Sequence, residues 1–335
     1  MSNDLLTEAH QFYEAMRAVG FKSDPEALKA KLEQLQRGLP AEDEFAALCV
    51  WSGRCLLIHR LGQEQYPLVS RKTFQVPDFF AVFSIEGQGV PVLIEVKSND
   101  ESRLILSAAY HRRLTAYAQA MGLPLLIAWR AEYGVWVLFD VNEMTRGPGG
   151  SWRVDFFEVM KQTLMGVMLG EFFVTVAAGT GLTMKIRVDN WVSQDRFTGT
   201  VVAAHWHRPD GTPVHHLAGN FLPLLMCCPE EVESSWEADT VTEKFFTPTE
   251  NLVLAHRAML AAIAGGGDTN WRQVLLSDEL HEGRRSVEEA AVDAINKGMV
   301  SYVIHVEPHV RPPFLPQRKR QQPRHLQPPA QEGGT

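Results

Sequence analysis

Glu95, Val96 and Lys97 follow the apolar run Val92-Leu93-Ile94. Side chains alternate between the two faces of a strand, so Glu95 and Lys97 share one face and Val96 takes the other. A carboxylate at the end of such a run is costly to bury without a partner. Asp78 opens an earlier strand, separated from this one by the turn signal Glu86-Gly87-Gln88-Gly89. Folding the hairpin symmetrically about Gly87 to Gly89 sets Asp78 opposite Lys97 or Ser98, with its carboxylate beside Glu95. Two carboxylates held this close repel unless a cation or a proton lies between them, and an oxygen-only donor set favours Mg²⁺ or Mn²⁺ over zinc. Hydrolysis of a phosphodiester needs a Lewis acid on the phosphoryl oxygen, an activated water in line with the leaving group and a positive group near the developing charge. Asp78, Glu95 and Lys97 together offer all three.

The elements that must hold this patch read as a mixed α/β unit. Leu5, Leu6, Phe12, Tyr13 and Met16 recur at helical spacing, and Asp24-Pro25 starts a second helix with Leu28, Leu32 and Leu35 on its buried face, which makes 1–40 a helical segment. Pro40 opens a third helix, Ala41 to Trp51, with Glu42, Asp43 and Glu44 in a first turn where negative charge suits the helix dipole. Strands follow at Cys55 to His59, Asp78 to Ile85 and Val90 to Lys97. A helix then runs from Arg103 to Met121, stopped by Gly122 and Pro124, before strands Leu125 to Trp129 and Val135 to Phe139. Gly147-Pro148-Gly149-Gly150 reads as a linker, so the first unit spans 41–147.

Pro77-Asp78, sixteen intervening residues and then Glu95-Val96-Lys97 resemble the signature of the PD-(D/E)xK nuclease superfamily, which includes restriction endonucleases and Holliday-junction resolvases. The order of helix, three-strand meander, helix and returning strand is also similar to that family's restriction endonuclease-like core. The resemblance implies an α/β fold, an endonuclease activity dependent on Mg²⁺ (or Mn²⁺), and DNA as substrate. It further implies that Asp78 and Glu95 bind the metal with the Val96 backbone carbonyl, while Lys97 orients or deprotonates the attacking water. Many members add an acid from the first core helix. Glu44, just ahead of the apolar run Phe45 to Val50, is the choice here and Glu42 the next one. Some members carry a QxxxY pattern on the following helix; this chain has Arg113 and Tyr117 at that spacing, without the glutamine. Arg71, Lys72, Arg103, His111, Arg112 and Arg113 lie close in sequence to the motif and are candidates for phosphate contacts, with a plain charged surface as the blander alternative.

The second half is less telling. Residues 151–248 read as a mainly β domain with a hairpin through His205 to Thr212. Residues 249–307 read as helices Thr249 to Ala264, Trp271 to Ser277 and Val287 to Asn296 plus a strand Met299 to Val306, compatible with a winged-helix module. Residues 308–335 form a basic Pro/Gln-rich stretch with the composition of a disordered tail. His205, His207, His215 and His216 offer a rival nitrogen-ligand zinc site, though the polar ends of a solvent-facing hairpin account for them more simply. His305, Glu307 and His309 read as the exit from the last strand. The four cysteines form no CxxC pair and no repeated spacing, so neither a thiolate zinc site nor a disulfide framework is suggested. A net charge of −8 argues against a protein that coats nucleic acid and leaves room for an enzyme with locally gathered basic groups. The start of the chain shows no targeting segment, so cytoplasmic residence is the expectation. Leu164 to Gly179, interrupted by Glu171 and glycines, falls short of the roughly 20 apolar residues of a membrane span. Enzymes that cut both strands commonly act as symmetric dimers, so a homodimer is anticipated, and the second half is left for recognition of substrate or a protein partner. A non-cleaving nuclease-fold module, serving as a nucleic-acid-binding or assembly subunit, is the alternative from another class.

Overall fold

The computed structural model of the chain describes residues 41–193, 196–264, 271–275 and 279–317. The two helices expected before residue 41 and the tail from residue 318 lie outside them.

Helix α1 (41–51) buries Ala41, Phe45, Leu48 and Cys49 along one stripe at the spacing of helical turns. Gly53, with φ +65°, lets the chain reverse into strand β1 (Cys55–Arg60). A short 3₁₀ turn, Leu68–Lys72, leads to β2 (Phe79–Ile85) and β3 (Gln88–Ser98). The β2–β3 connection is tighter than the four-residue turn anticipated from the sequence. Only Glu86 and Gly87 lie between the paired ends Ile85 and Gln88, and both have positive φ, 52° and 78°. That is the conformation whose twist matches a two-residue hairpin. The register that follows pairs Phe79 with Ile94, so Asp78 stands across from Glu95 and not from Lys97 or Ser98.

Beyond β3, Arg103–Leu106 forms strand β4 where a helix had been expected. Leu104 and Leu106 are buried and Arg103 and Ile105 exposed, a period of two that a short apolar run does not distinguish from a helix. Ser107 then caps helix α2 (Ala108–Met121) by accepting the Tyr110 N–H, and Gly122 ends it in the left-handed conformation. Strands β5 (Leu125–Arg130) and β6 (Trp136–Asp140) complete a five-stranded sheet of order β1-β2-β3-β5-β6, with β5 parallel to β3 and the rest antiparallel. One face, with Phe79, Ala81, Val92, Ile94, Leu126 and Leu138, packs on α1. The other, with Leu93, Ile127, Trp129 and Phe139, packs on Leu114 and Ala118 of α2.

The stretch expected to be a linker is a hairpin turn. Strand β7 (Thr145–Arg146) pairs with β8 (Trp152–Asp155), the Gly147 N–H bonds the Ser151 carbonyl at 2.8 Å, and β8 pairs in turn with β4. After helix α3 (Phe156–Met160) and a buried π-helical turn, Met165–Leu169, comes strand β9 (Phe172–Val176). A second five-stranded antiparallel sheet follows, ordered β12-β11-β10-β14-β13. It is built from β10 (Gly181–Ser193), β11 (Arg196–His207), β12 (Pro213–Val214), β13 (Glu231–Glu237) and β14 (Thr240–Phe246), with the short helix α4 (Leu222–Leu225) ahead of β13. Asn251–Leu254 is strand β15 where helix had been anticipated. Helices α5 (Ala255–Ala264), α6 (Trp271–Val274) and α7 (Glu279–Asn296) then lead to β16 (Val300–His305), and β15 and β16 flank β9. Among the described residues no helix is long and apolar enough to cross a membrane.

One cluster of buried apolar side chains runs from α1 and its face of the first sheet through Met165, Met168 and Leu169 to Val174, Ala258, Met259 and Ala291. A fragment ending at Gly150 therefore loses part of the cover over that sheet face. It should bind a hydrophobic dye and unfold at lower denaturant than the full chain; an equal midpoint without dye binding would show that the first unit is self-sufficient.

Candidate active site

The patch is assembled by the hairpin and by the first turn of α2. Asp78 precedes β2, and its Oδ2 accepts the Val96 N–H at 2.7 Å, a bond that ties the entry of β2 to the end of β3. Glu95 is 1% exposed. Its Oε1 accepts from both the Lys97 ammonium and the Tyr110 hydroxyl, whereas its Oε2 is buried with no hydrogen-bond partner. Lys97 Nζ also lies 3.2 Å from the Val96 carbonyl and 3.3 Å from the Tyr110 oxygen, 5.0 Å from the centre of that ring. The ammonium thus sits among the oxygens that a divalent cation would seek.

Burial shapes the electrostatics here. It pushes the Glu95 carboxyl up to about 7, with the Lys97 charge opposing and the Asp78 charge adding. Burial also raises Asp78, opposed by Lys97, the Val96 N–H and Arg60. The surrounding anionic groups in turn hold the Lys97 ammonium above its ordinary value despite its own burial. Glu42, in the first turn of α1, is raised to about 6, first by burial and next by the Asp78 charge. Its carboxylate is joined to Arg60, which also bonds Asp43 at 2.6 Å and lies over the Phe79 ring.

The sequence-derived candidates divide accordingly. Asp78, Glu95, Lys97 and the Val96 carbonyl are brought together. Glu44 is not among them: buried on α1, it accepts the Trp136 indole N–H at 2.7 Å and stands 3.3 Å from Arg130 Nε. Glu42, the second choice on that helix, is the acid that feels Asp78 and Lys97. The reason is rotational, since residues two apart on a helix face different directions. Tyr117 packs against the apolar cluster beneath α2, and the tyrosine at the patch is Tyr110. Tyr110 went unsingled in the sequence although it shares a helical stripe with Leu114 and Ala118, the signal that would have pointed it at the sheet. Arg60 was likewise missed.

Of the basic candidates, Arg103 is paired with Asp155 at 2.6 Å and joins β4 to β8. Arg113 reaches the Arg71 carbonyl at 3.4 Å while its own carbonyl accepts the Gln75 N–H, so α2 braces the segment before β2. Arg71, Lys72 and Arg112 are exposed. His111 is buried and stacked on Trp152 at 4.0 Å. The histidine hairpin brings His205 and His215 rings to 5.7 Å, but His207 is buried against Thr183 and kept neutral, its imidazole pushed down to about 4 first by burial and then by Lys244. Among the described residues no three His, Cys, Asp or Glu side chains are grouped to hold a metal by themselves, so neither the histidine site nor a triad of Asp78, Glu95 and Glu44 is formed by side chains alone.

The N-terminal part of the chain, a mixed α/β fold carrying this hairpin, is similar to the PD-(D/E)xK nucleases. The particular family model that matches, over residues 69–176, is that of the archaeal Holliday junction resolvases (Hjc). Among solved structures, the chain is similar to Hjc, a Holliday junction resolvase from the archaeal hyperthermophile Archaeoglobus fulgidus, at 21% identity and a TM-score of 0.29, over 37% of this chain and 87% of that one. No curated protein matches the chain at a significant level.

The raised Glu95 carboxyl has a consequence for stability. Between 4.5 and about 7 the folded chain holds more proton at this site than the unfolded chain does. Stability from Glu95 is therefore greatest at low pH, falls as pH rises through that interval, and levels off above it. In chelator-treated buffer, the unfolding free energy of Glu95→Gln relative to the native chain should rise from pH 5 to pH 8. A difference independent of pH would contradict the burial argument.

Proposed function

We propose that the chain is a divalent-metal-dependent deoxyribonuclease, with Mg²⁺ or Mn²⁺ held by Asp78, Glu95 and the Val96 carbonyl. The observation that carries this reading is the buried Glu95 Oε2, which has no hydrogen-bond partner, on a residue whose strand position stands across the hairpin from Asp78. A buried carboxylate oxygen without a donor is destabilising unless a cation serves it, and the donors available are all oxygen, which suits a hard metal whose remaining positions are taken by water. A bound cation of this class supplies Lewis-acid polarisation of a phosphoryl oxygen and an acidified water.

The chain's own residues do the rest. Lys97, kept protonated by its neighbours, orients the attacking water and offers positive charge beside the scissile phosphate; as an ammonium it has no lone pair, so it takes no proton from that water. Tyr110 fixes Glu95 and Lys97 relative to one another. Glu42, at the rim with Arg60, is the further acid able to hold a water or a metal aquo ligand, the role first assigned to Glu44. Arg71, Lys72 and Arg112 are exposed for backbone contacts. The matched family name points to a four-way DNA junction as the first substrate to test, and the two-fold symmetry of such a junction suits a homodimer. The intact Asp78, Glu95 and Lys97 argue against a non-cleaving module, in which a buried carboxylate pair would serve nothing.

The native chain with Mg²⁺ or Mn²⁺ should cut one or more of four-way, linear duplex, nicked and single-stranded DNA. Lys97→Gln should lower the single-turnover rate by about 10²-fold or more while leaving binding in chelator intact. Glu42→Gln should raise the Mg²⁺ concentration for half-maximal rate by about tenfold, and Glu44→Gln should leave that requirement unchanged. Equal metal requirements for both variants would remove Glu42 from the site. Native protein that binds DNA but cuts none would favour the assembly module.

A further inference from the structure

We infer that the outer half of one face of the second sheet docks a partner protein, through a segment of that partner that is apolar and carries a cation. The strand register sorts the side chains of this sheet onto two unlike faces. One is polar: Arg187 lies there 3.6 Å from Asp189, and Lys244 lies 3.7 Å from Glu233. The other carries Met184 and Ile186 of β10, Val201 of β11, Val232 of β13 and Val241 of β14. At its inner end the apolar face joins the core, where the Trp206 ring meets that of Phe221 edge-on with centroids 5.6 Å apart.

Toward the tip of the β10–β11 hairpin the same face lies open. Trp191 pairs in register with Phe197 there, and Trp236 of β13 joins them. The two indoles are stacked, with centroids 5.2 Å apart, and the Phe197 ring is steeply inclined to both at 5.7 and 5.6 Å. Trp191 is nevertheless 51% exposed, Trp236 49% and Val201 52%. Folding has ordered this apolar surface without covering it, and aromatic side chains are enriched where proteins meet.

Glu243 sets the chemistry of the occupant. It lies on the apolar face, half-buried, with Met184 beside it on β10 and Ser234 on β13. Among the described residues no cation pairs with it, since its neighbour Lys244 turns to the polar face and serves Glu233. Covering the face would strand this carboxylate unless the cover brings a cation to it. The indoles favour the same kind of group, because a guanidinium or ammonium lies well over a tryptophan ring. The rim agrees in sign: Glu237 ends β13 and Asp239 lies in the turn to β14, both exposed. A second copy presenting the same face has no cation to offer Glu243, because the described lysine and arginine side chains of these strands, Lys185, Arg187 and Lys244, lie on the polar face. Addition of a strand at the β13 edge is opposed by Glu231, Glu233 and Glu237. Nucleic-acid bases would stack on the indoles but would carry their phosphates into the acidic rim. A protein segment with arginine or lysine among apolar side chains answers the rings, the carboxylate and the rim together.

The test is binding of labelled synthetic peptides to the full chain, followed by fluorescence anisotropy. One peptide alternates leucine with arginine, one leucine with glutamate and one serine with arginine. The leucine–arginine peptide should bind saturably, and the other two at least about tenfold more weakly. Glu243→Gln should weaken the first peptide by about tenfold. Trp236→Ser should weaken it by about thirtyfold, whereas Trp236→Phe should keep most of the affinity, which separates the ring from folding. Glu231→Gln, an equal loss of charge on the polar face, should leave the affinity largely unchanged. Equal binding of the serine–arginine peptide, or equal losses in Glu231→Gln and Glu243→Gln, would reduce the effect to net charge and overturn the proposal. A native dimer in sedimentation that Trp236→Ser dissociates, or single-stranded DNA that displaces the peptide, would overturn it by giving the face to another occupant. Binding of no peptide by the native chain would overturn it as well.

Discussion

Burying a carboxylate at the end of an apolar strand forces the rest of its neighbourhood to answer it. Glu95 closes a run of core residues, and folding cannot release it to water without also exposing Leu93 and Ile94. The answer is built from elements far apart in sequence: the Lys97 ammonium on the same strand face, the Tyr110 hydroxyl from the capped start of α2, and Asp78 from across the hairpin. Each needs its own local device. The two-residue turn at Glu86-Gly87 fixes the register, Ser107 fixes where α2 begins, and the bond from the Val96 N–H fixes the Asp78 carboxylate. A patch built this way carries raised carboxyl groups beside a lysine held in its charged form.

The same logic runs through the opposite face of the sheet. Trp136 sits at the meeting point of α1, β6 and α5, giving its indole N–H to Glu44 and its backbone N–H to His256. The bond to His256 crosses the boundary between the first unit and the rest of the chain, and the apolar cluster around it is continuous. The start of α5 is therefore positioned relative to the first sheet by core packing.

The hairpin and its three chemistry-bearing residues were legible because period-two alternation and a strong turn signal are local. The register differs from the expected one by two or three residues because four turn-forming residues in a row, Glu86 to Gly89, do not say which two make the turn. β4 was read as helix because Arg103 to Leu106 is too short for its periodicity to be decisive, and only its pairing with β8 reveals it. Glu44 was preferred over Glu42 on adjacency to the apolar run. The direction each faces depends on how α1 lies on the sheet, a tertiary fact. The Gly-Pro-Gly-Gly stretch showed a break in regular structure but not that the core continues past it.

The central claim is that Asp78 and Glu95 jointly hold a divalent cation, and metal-linked stability tests it without depending on knowledge of the right DNA. The account predicts that Mn²⁺ raises the thermal midpoint of the native chain in a concentration-dependent way, as binding to the folded state must. It also predicts that Asp78→Asn and Glu95→Gln, each still folded, lose that rise. An equal rise in all three proteins, or none in the native chain, would contradict it.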